Sequence, residues 1–226
     1  ALVEEMRRDE KVFVVGESVQ GGSFAATMGL VQQFGPDRVM DTPLCETGVA
    51  GVGLGAALAG YRPVVDFMFA DFMYVAADEV FLKAAQWHFL HGGKVTLPVV
   101  FMATVGGGMM LCNEHSHIPC APVLHSPGLK LAVPSTPYDA KGLLKTAIRD
   151  NNPVCFFWHK MLLGLPGDVQ RLTDDRQLFR FAPLGDGGQP ERFGIFPIMG
   201  GRWQLAFDVD HRSAVSPVNS LNFNPG

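Results

Sequence analysis

Six short runs of apolar residues recur along the first 160 positions: "KVFVVGE" (11–17), "RVMDT" (38–42), "RPVVDFMF" (62–69), "VTLPVVFMA" (95–103), "LKLAVPS" (129–135) and "PVCFFWH" (153–159). A strand with one wet face alternates apolar and polar residues. These runs do not alternate, so both of their faces must be covered. Between them lie helical stretches at 46–60, 71–91 and 136–150. The last opens with Ser135 or Thr136 as cap, Pro137 in the first turn and Asp139 near the positive end of the dipole. Doubly buried strands alternating with helices predict an α/β fold, a mostly parallel sheet flanked by helices. From about 165 the pattern is lost. "FAPLGDGGQPERFGIFPIMGGRW" has glycine or proline every few residues and no sustained period. Residues 1–164 are therefore expected to form the folded domain and 165–226 an irregular C-terminal tail.

Composition narrows the function classes. A net charge of -4 and a pI near 6.0 leave no electrostatic footprint for nucleic acid or an anionic membrane, so neither is an expected partner. No apolar run reaches the ~20 residues of a spanning helix. The opening "ALVEEMRRDEK" reads as the end of a helix that began earlier in a longer chain, not as a signal peptide. Cys45, Cys112, Cys120 and Cys155 make no disulfide framework in a chain of 226 residues, and a reducing, cytoplasmic compartment is expected.

Residues 41–63, "DTPLCETGVAGVGLGAALAGYRP", hold one carboxylate, Glu46, at the head of a glycine-dense apolar segment. Burying a lone carboxylate costs several kcal/mol unless it is paired or protonated. Either Glu46 caps a helix and reaches water, or something binds it. Gly51-Val52-Gly53-Leu54-Gly55-Ala56 can be written as a GxGxxA dinucleotide fingerprint, with Asp66 ending a strand soon after. That fingerprint requires a strand running into its first glycine, and "DTPLCETGVA" is not one. A small-residue helix fits better. Each interior glycine costs it roughly 1 kcal/mol, which points to close packing against another helix, plausible in another subunit.

"LCNEHSHIPC" contains Cys112, His115, His117 and Cys120, all possible zinc ligands. Their spacing follows no common Cys₂His₂ pattern and Pro119 restricts the loop. A Cys/His metal-binding α/β protein is one alternative reading.

Glu46, four residues, Gly51, apolar Val52, two residues, Gly55 and apolar Ala56 resemble the pyrimidine-domain motif of thiamine diphosphate enzymes. The likeness extends through "DEKVFVVGE", "FGPDRVMDTP", "GAALAGYRPVVDFMFADFM", "GLKLAVPSTPYDAKGLLKTAIRDNNPV" and the "HK" of His159-Lys160. Together these are similar to the β subunit of 2-oxo acid dehydrogenase decarboxylating components, a group including pyruvate, branched-chain 2-oxo acid and acetoin enzymes. The resemblance implies the thiamine diphosphate-binding pyrimidine-domain fold over 1–164. It implies that Glu46 touches the aminopyrimidine and activates the cofactor by sharing a proton with a ring nitrogen. Such a carboxyl works best with a raised pKa, which an apolar pocket supplies. It further places Phe72 and Met68 against the pyrimidine, Glu17 in a polar relay at the subunit interface, and His115 where the acyl group passes to a lipoyl arm. Val99, Ala147, Ile148, Asp150 and Asn152 resemble a potassium site, although a capped helix end would look much the same. The implied partners are an α subunit in an α2β2 heterotetramer, which supplies the magnesium and diphosphate site, and a lipoyl-bearing acyltransferase.

Three departures stand out. His117 replaces the glutamine of an "HSQ" motif, and Trp158 stands where a glutamate usually precedes His-Lys. The resemblance also calls for a second α/β domain, for which 165–226 is too short and irregular. The chain is then either an active-site half of a decarboxylating enzyme, inactive without its α subunit, or a non-catalytic remnant or interaction domain of the same fold.

Overall fold

In the computed structural model, which describes residues 1–167, six strands form one sheet in the order β2-β1-β3-β4-β6-β5, and every pairing is parallel. They are β1 (Val12–Gly16), β2 (Val39–Asp41), β3 (Arg62–Phe69), β4 (Val100–Val105), β5 (Lys130–Ala132) and β6 (Val154–His159). Neighbouring residues of one strand serve opposite cores. Phe13 and Val15 join Val65, Phe67, Phe101 and Phe157 on one face, while Val12 and Val14 join Val64, Val100, Met102 and Phe156 on the other. The missing alternation in the sequence is thus the mark of a sheet covered on both sides.

Helix α3 (Glu46–Leu58) covers the first face with a helical segment over 70–90, and α1 (Leu2–Arg8), α2 (Leu30–Phe34) and α6 (Pro137–Arg149) cover the second. A Cβ at Gly53 would overlap Val65 Cγ2, so that glycine lets α3 lie directly on β3. At the start of α6, Thr136 Oγ1 accepts from the Asp139 backbone N–H (3.1 Å) with Pro137 in the first turn, as its sequence foretold.

The expected helix 71–91 divides into a 3₁₀ turn (Ala70–Tyr74), a π-helical stretch (Asp78–Ala84) and α4 (Ala85–Leu90). The strand expected at 95–103 starts later, at Val100. Pro98 offers no N–H, and the Leu97 N–H is spent on Asn151 O (3.1 Å), so ladder pairing cannot begin earlier. Two short helices, α2 and α5 (Cys120–Leu124), were not foreseen. The tail expected at 165–226 lies almost entirely outside the described residues.

Helix α1 is tied to α6 by charge. The Glu5 carboxylate, with a side chain 1% exposed, accepts from Arg149 Nη2 (2.7 Å) and Nε (2.9 Å) and from Arg8 Nε (2.7 Å). Burial pushes its pKa up, but the Arg149 and Arg8 bonds outweigh burial and hold it below the usual range. Glu4, bonded by Lys141 and Lys145, is lowered to about 2, with Lys141 the chief cause. Arg149→Met should therefore remove two of the three hydrogen bonds on a buried carboxylate, leaving it only that of Arg8, and cost up to ~3–5 kcal/mol in urea denaturation. Because Glu4 is depressed from 4.5 to about 2, its contribution should be complete above pH 4.5 and disappear as pH falls towards 2. A flat stability curve between pH 5 and 2 would contradict this clamp.

Candidate active site

From β1 the chain crosses to β2 on one side, and from α3 it returns to β3 on the other, so the β1–β3 boundary is where strand order reverses. In open parallel sheets, ligands bind outside the carboxyl ends of the strands at such a switch point. A cleft lies there, lined by Glu17, Pro43, Leu44, Cys45, Glu46, Val49, Asp66 and Phe67. Glu17 follows the last residue of β1, and Glu46 opens α3, where the helix dipole favours a negative charge. Among the described residues neither carboxylate has a hydrogen-bond partner, so both are free for a ligand. Glu46 is partly exposed, and here the structure departs from the sequence reading. Among the described residues the apolar enclosure expected around it is incomplete, because nothing there covers the outer face of α3: Val52 is 52% exposed, and Cβ atoms at Gly51 or Gly55 would meet nothing within 4 Å.

The third acid, Asp66, was missed as a site residue. Its only signal was an acid interrupting a strand of apolar residues. Pairing sets Asp66 opposite Gly16, where a Cβ would overlap the Asp66 carbonyl. Desolvation pushes its pKa up to about 6 against the pull of the Met68 N–H, which its Oδ1 accepts at 2.8 Å. That bond closes a tight bend. Register with β4 slips between Asp66 and Phe69, and Met68 adopts φ 63°, a left-handed conformation that a side chain with a Cβ rarely tolerates. Thr104 Oγ1 holds the Met68 carbonyl at 2.6 Å from the other side. A bulge of this kind re-aims the residues that follow.

Those residues form an aromatic group. Phe69 and Phe72 meet edge to face at 5.7 Å, and the His115 ring packs against both, at 4.5 Å and 5.3 Å. Lys160, 3% exposed, donates to the His115 carbonyl and lies over the Phe69 ring; burial pulls its pKa down, while Asp71 acts in the opposite sense. The predicted residues Phe72 and His115 are thus in contact, and Met68 lies in the bulge between them and the carboxylate cleft.

Val99, Ala147, Ile148, Asp150 and Asn152 also come together, but at the opposite edge of the sheet, where β4 and β6 begin. Ile148 O accepts from Arg62 Nη1 (3.0 Å), Val99 O from the Val154 N–H (3.0 Å), and the Asp150 carboxylate from Lys130 and Asn152. Each acceptor already has a protein partner, and the carbonyls each retain a lone pair. The zinc reading is not supported: among the described residues no three His, Cys, Asp or Glu side chains could hold a metal, and His117 is engaged by Asp71.

A parallel sheet of this order, with unpartnered carboxylates in the cleft at its switch point and an aromatic group following β3, is an α/β architecture of the doubly wound kind. The chain belongs to the family described as "Transketolase, pyrimidine binding domain", whose model matches residues 1–166. It is 50% identical over 162 residues to the 2-oxoisovalerate dehydrogenase subunit beta of Bacillus subtilis, covering 71% of this chain and 50% of that one. It is 46% identical over 176 residues to the pyruvate dehydrogenase E1 component subunit beta of Rhizobium meliloti (77% and 38%). It is 45% identical over 181 residues to the acetoin:2,6-dichlorophenolindophenol oxidoreductase subunit beta of Cupriavidus necator (75% and 53%). The chain therefore spans about half the length of the curated relatives it matches or less. A solved structure titled "Split gene transketolase, inactive beta4 tetramer" shares the fold, with TM-score 0.52 and 20% identity over 80% of this chain and 53% of that one.

Asp66 supplies a pH test. Its folded pKa lies above the ordinary 3.8, so the native state holds the proton more tightly than the unfolded chain, and stability should fall as pH rises from about 4 to 6. Asp66→Asn keeps an acceptor for the Met68 N–H and removes the titration. It should raise stability above pH 6 by roughly 3 kcal/mol and change little below pH 4. Equal effects at pH 4 and pH 7 in chemical denaturation would refute the assignment.

Proposed function

We propose that this chain is the pyrimidine-binding half of a thiamine diphosphate-dependent decarboxylating component for a 2-oxo acid or acetoin, working with an α subunit. The observation that carries this reading is the pair of unpartnered carboxylates, Glu17 and Glu46, at the switch-point cleft of a chain 45–50% identical to three such β subunits. Residues 1–164 form the cofactor-binding unit. When bound, the cofactor supplies the carbanion chemistry. The protein's own part follows from its groups. Glu46 holds a proton at a pyrimidine nitrogen, a task that requires the free acceptor found there. Phe72 and Met68 form an apolar wall that excludes water and fixes the ring, and the backbone held at Met68 sets that wall's position. Glu17, beside Glu46, joins a polar relay between sites. His115, seated on Phe69 and Phe72, orients the acyl group for transfer to a lipoyl arm of an acyltransferase.

Assembly as an α2β2 heterotetramer would cover the open face of α3 and complete the apolar enclosure of Glu46. The α subunit would bring magnesium and the diphosphate site. Potassium at Val99, Ala147, Ile148, Asp150 and Asn152 would pin the end of α6 far from the chemistry, as a structural ion. A reducing, cytoplasmic setting accords with the four free cysteines.

Two measurements test this. Glu46→Gln, reconstituted with an α-type chain, should assemble normally and lose about 10²–10⁴-fold in turnover; near-normal turnover would end the assignment. Gly51→Ala and Gly55→Ala should each stabilise the isolated chain by up to ~1 kcal/mol, since nothing crowds either position. Gly55→Leu should leave that chain folded yet prevent its joining the α-type chain in size-exclusion chromatography. Undiminished assembly would mean that the open face of α3 is not the partner surface.

A further inference from the structure

Asp71, in the 3₁₀ turn after β3, is buried, with its side chain 6% exposed. Its Oδ1 accepts twice from one residue: from the His117 backbone N–H (3.3 Å) and from the His117 ring at Nδ1. Oδ2 is buried with no partner. A buried carboxylate cannot accept from a bare ring nitrogen, so Nδ1 carries a proton and the lone pair of the neutral ring is on Nε2. The ring is 59% exposed and Nε2 bonds to nothing among the described residues. A carboxylate behind an imidazole whose far nitrogen is open is the arrangement that orients a proton-transfer histidine.

The pair belongs to the aromatic group. Asp71 directly precedes Phe72, and His117 lies two residues beyond His115, whose ring rests on Phe72. His115 is poorly placed to exchange protons at both nitrogens, because its Nδ1 is buried and unbonded. His117 O also accepts from the Gly106 N–H (3.2 Å), fixing the segment to the end of β4.

We propose that His117 is a second acid–base residue of this site, with Asp71 as its positioning residue. The inference rests on the functional reading above. In the forward step an O–H or S–H bond of the bound substrate or acceptor breaks. The electron pair stays on the heteroatom, the proton joins Nε2, and the buried Asp71 charge offsets the imidazolium. Return of that proton to product or water restores the neutral ring. The other titratable groups nearby are His115 and Glu114 on the same segment, and His159 and Lys160 at the end of β6.

The test has two arms. In the intact chain, long-range ¹H–¹⁵N correlation of the seven histidines, with the His117 signal assigned by its loss in His117→Gln, should show the Nδ1–H tautomer. Asp71→Asn should shift that signal, and an Nε2–H tautomer overturns the proposal. In the complex with an α-type chain, His117→Gln keeps a donor for Asp71 but cannot exchange a proton. It should lower kcat about 10²-fold, leave KM within about 2-fold and remove one limb of the pH–rate profile. An unchanged kcat and profile overturn the proposal, as does a change in KM alone. If the unaltered complex has no thiamine diphosphate-dependent turnover, the functional reading fails and the proton-transfer role with it, whereas the tautomer result still reports whether Asp71 orients the ring.

Discussion

The ladder between β1 and β3 is the contact on which the site depends. It fixes Val12 to Gly16 opposite Arg62 to Asp66, residue by residue, and it ends where the chain departs to opposite sides. Two features follow. The carboxyl ends of both strands open onto a crevice, and Glu17, just past β1, and Asp66, at the last rung of the ladder where β3 bends, are forced into it. Gly16 and Gly53 are the tight points. One admits the Asp66 backbone and the other admits Val65, and together they let strand and helix close to a distance that sets Glu46 at the rim.

Strain and burial are concentrated in the same few residues. The left-handed backbone at Met68 costs of the order of 1–3 kcal/mol. It persists because Asp66 and Thr104 hold both of its peptide groups and because β3 and β4 are buried on each side. What the bend gains is the placement of Phe69, Asp71 and Phe72, and through them of His115 and His117. Stability elsewhere supports this. The Glu4 and Glu5 clamp to α6 lies on the other face of the sheet, where it can hold the layers together without contributing to the cleft.

Much of this was legible in the residues. Short β-branched apolar runs without alternation, separated by helical stretches, read as strands covered twice, so the layered arrangement of a sheet between helices follows from the pattern of burial. The cap at Thr136 and the glycine-dense helix from Glu46 are local, and local chemistry shows in local sequence. Strand β4 began late because a proline and a long-range bond from Leu97 to Asn151 intervene, and only half of that cause is local. The zinc reading of Cys112, His115, His117 and Cys120 failed for a similar reason. Short spacing permits a ligand set, but the fold turned His117 towards Asp71, 46 residues away, and among the described residues no three ligating side chains gather.

By itself, then, the sequence determined the layers, the small-residue helix and the lone glutamate at its head, because each of these is a pattern of burial and propensity over a few turns. Only the tertiary structure decided which acids share a cleft, that Asp66 is desolvated there, and that Asp71 reaches His117. Those facts depend on parallel pairing between strands far apart in the chain. Register of that kind is set by the packing of the whole sheet, and no short stretch of residues records it.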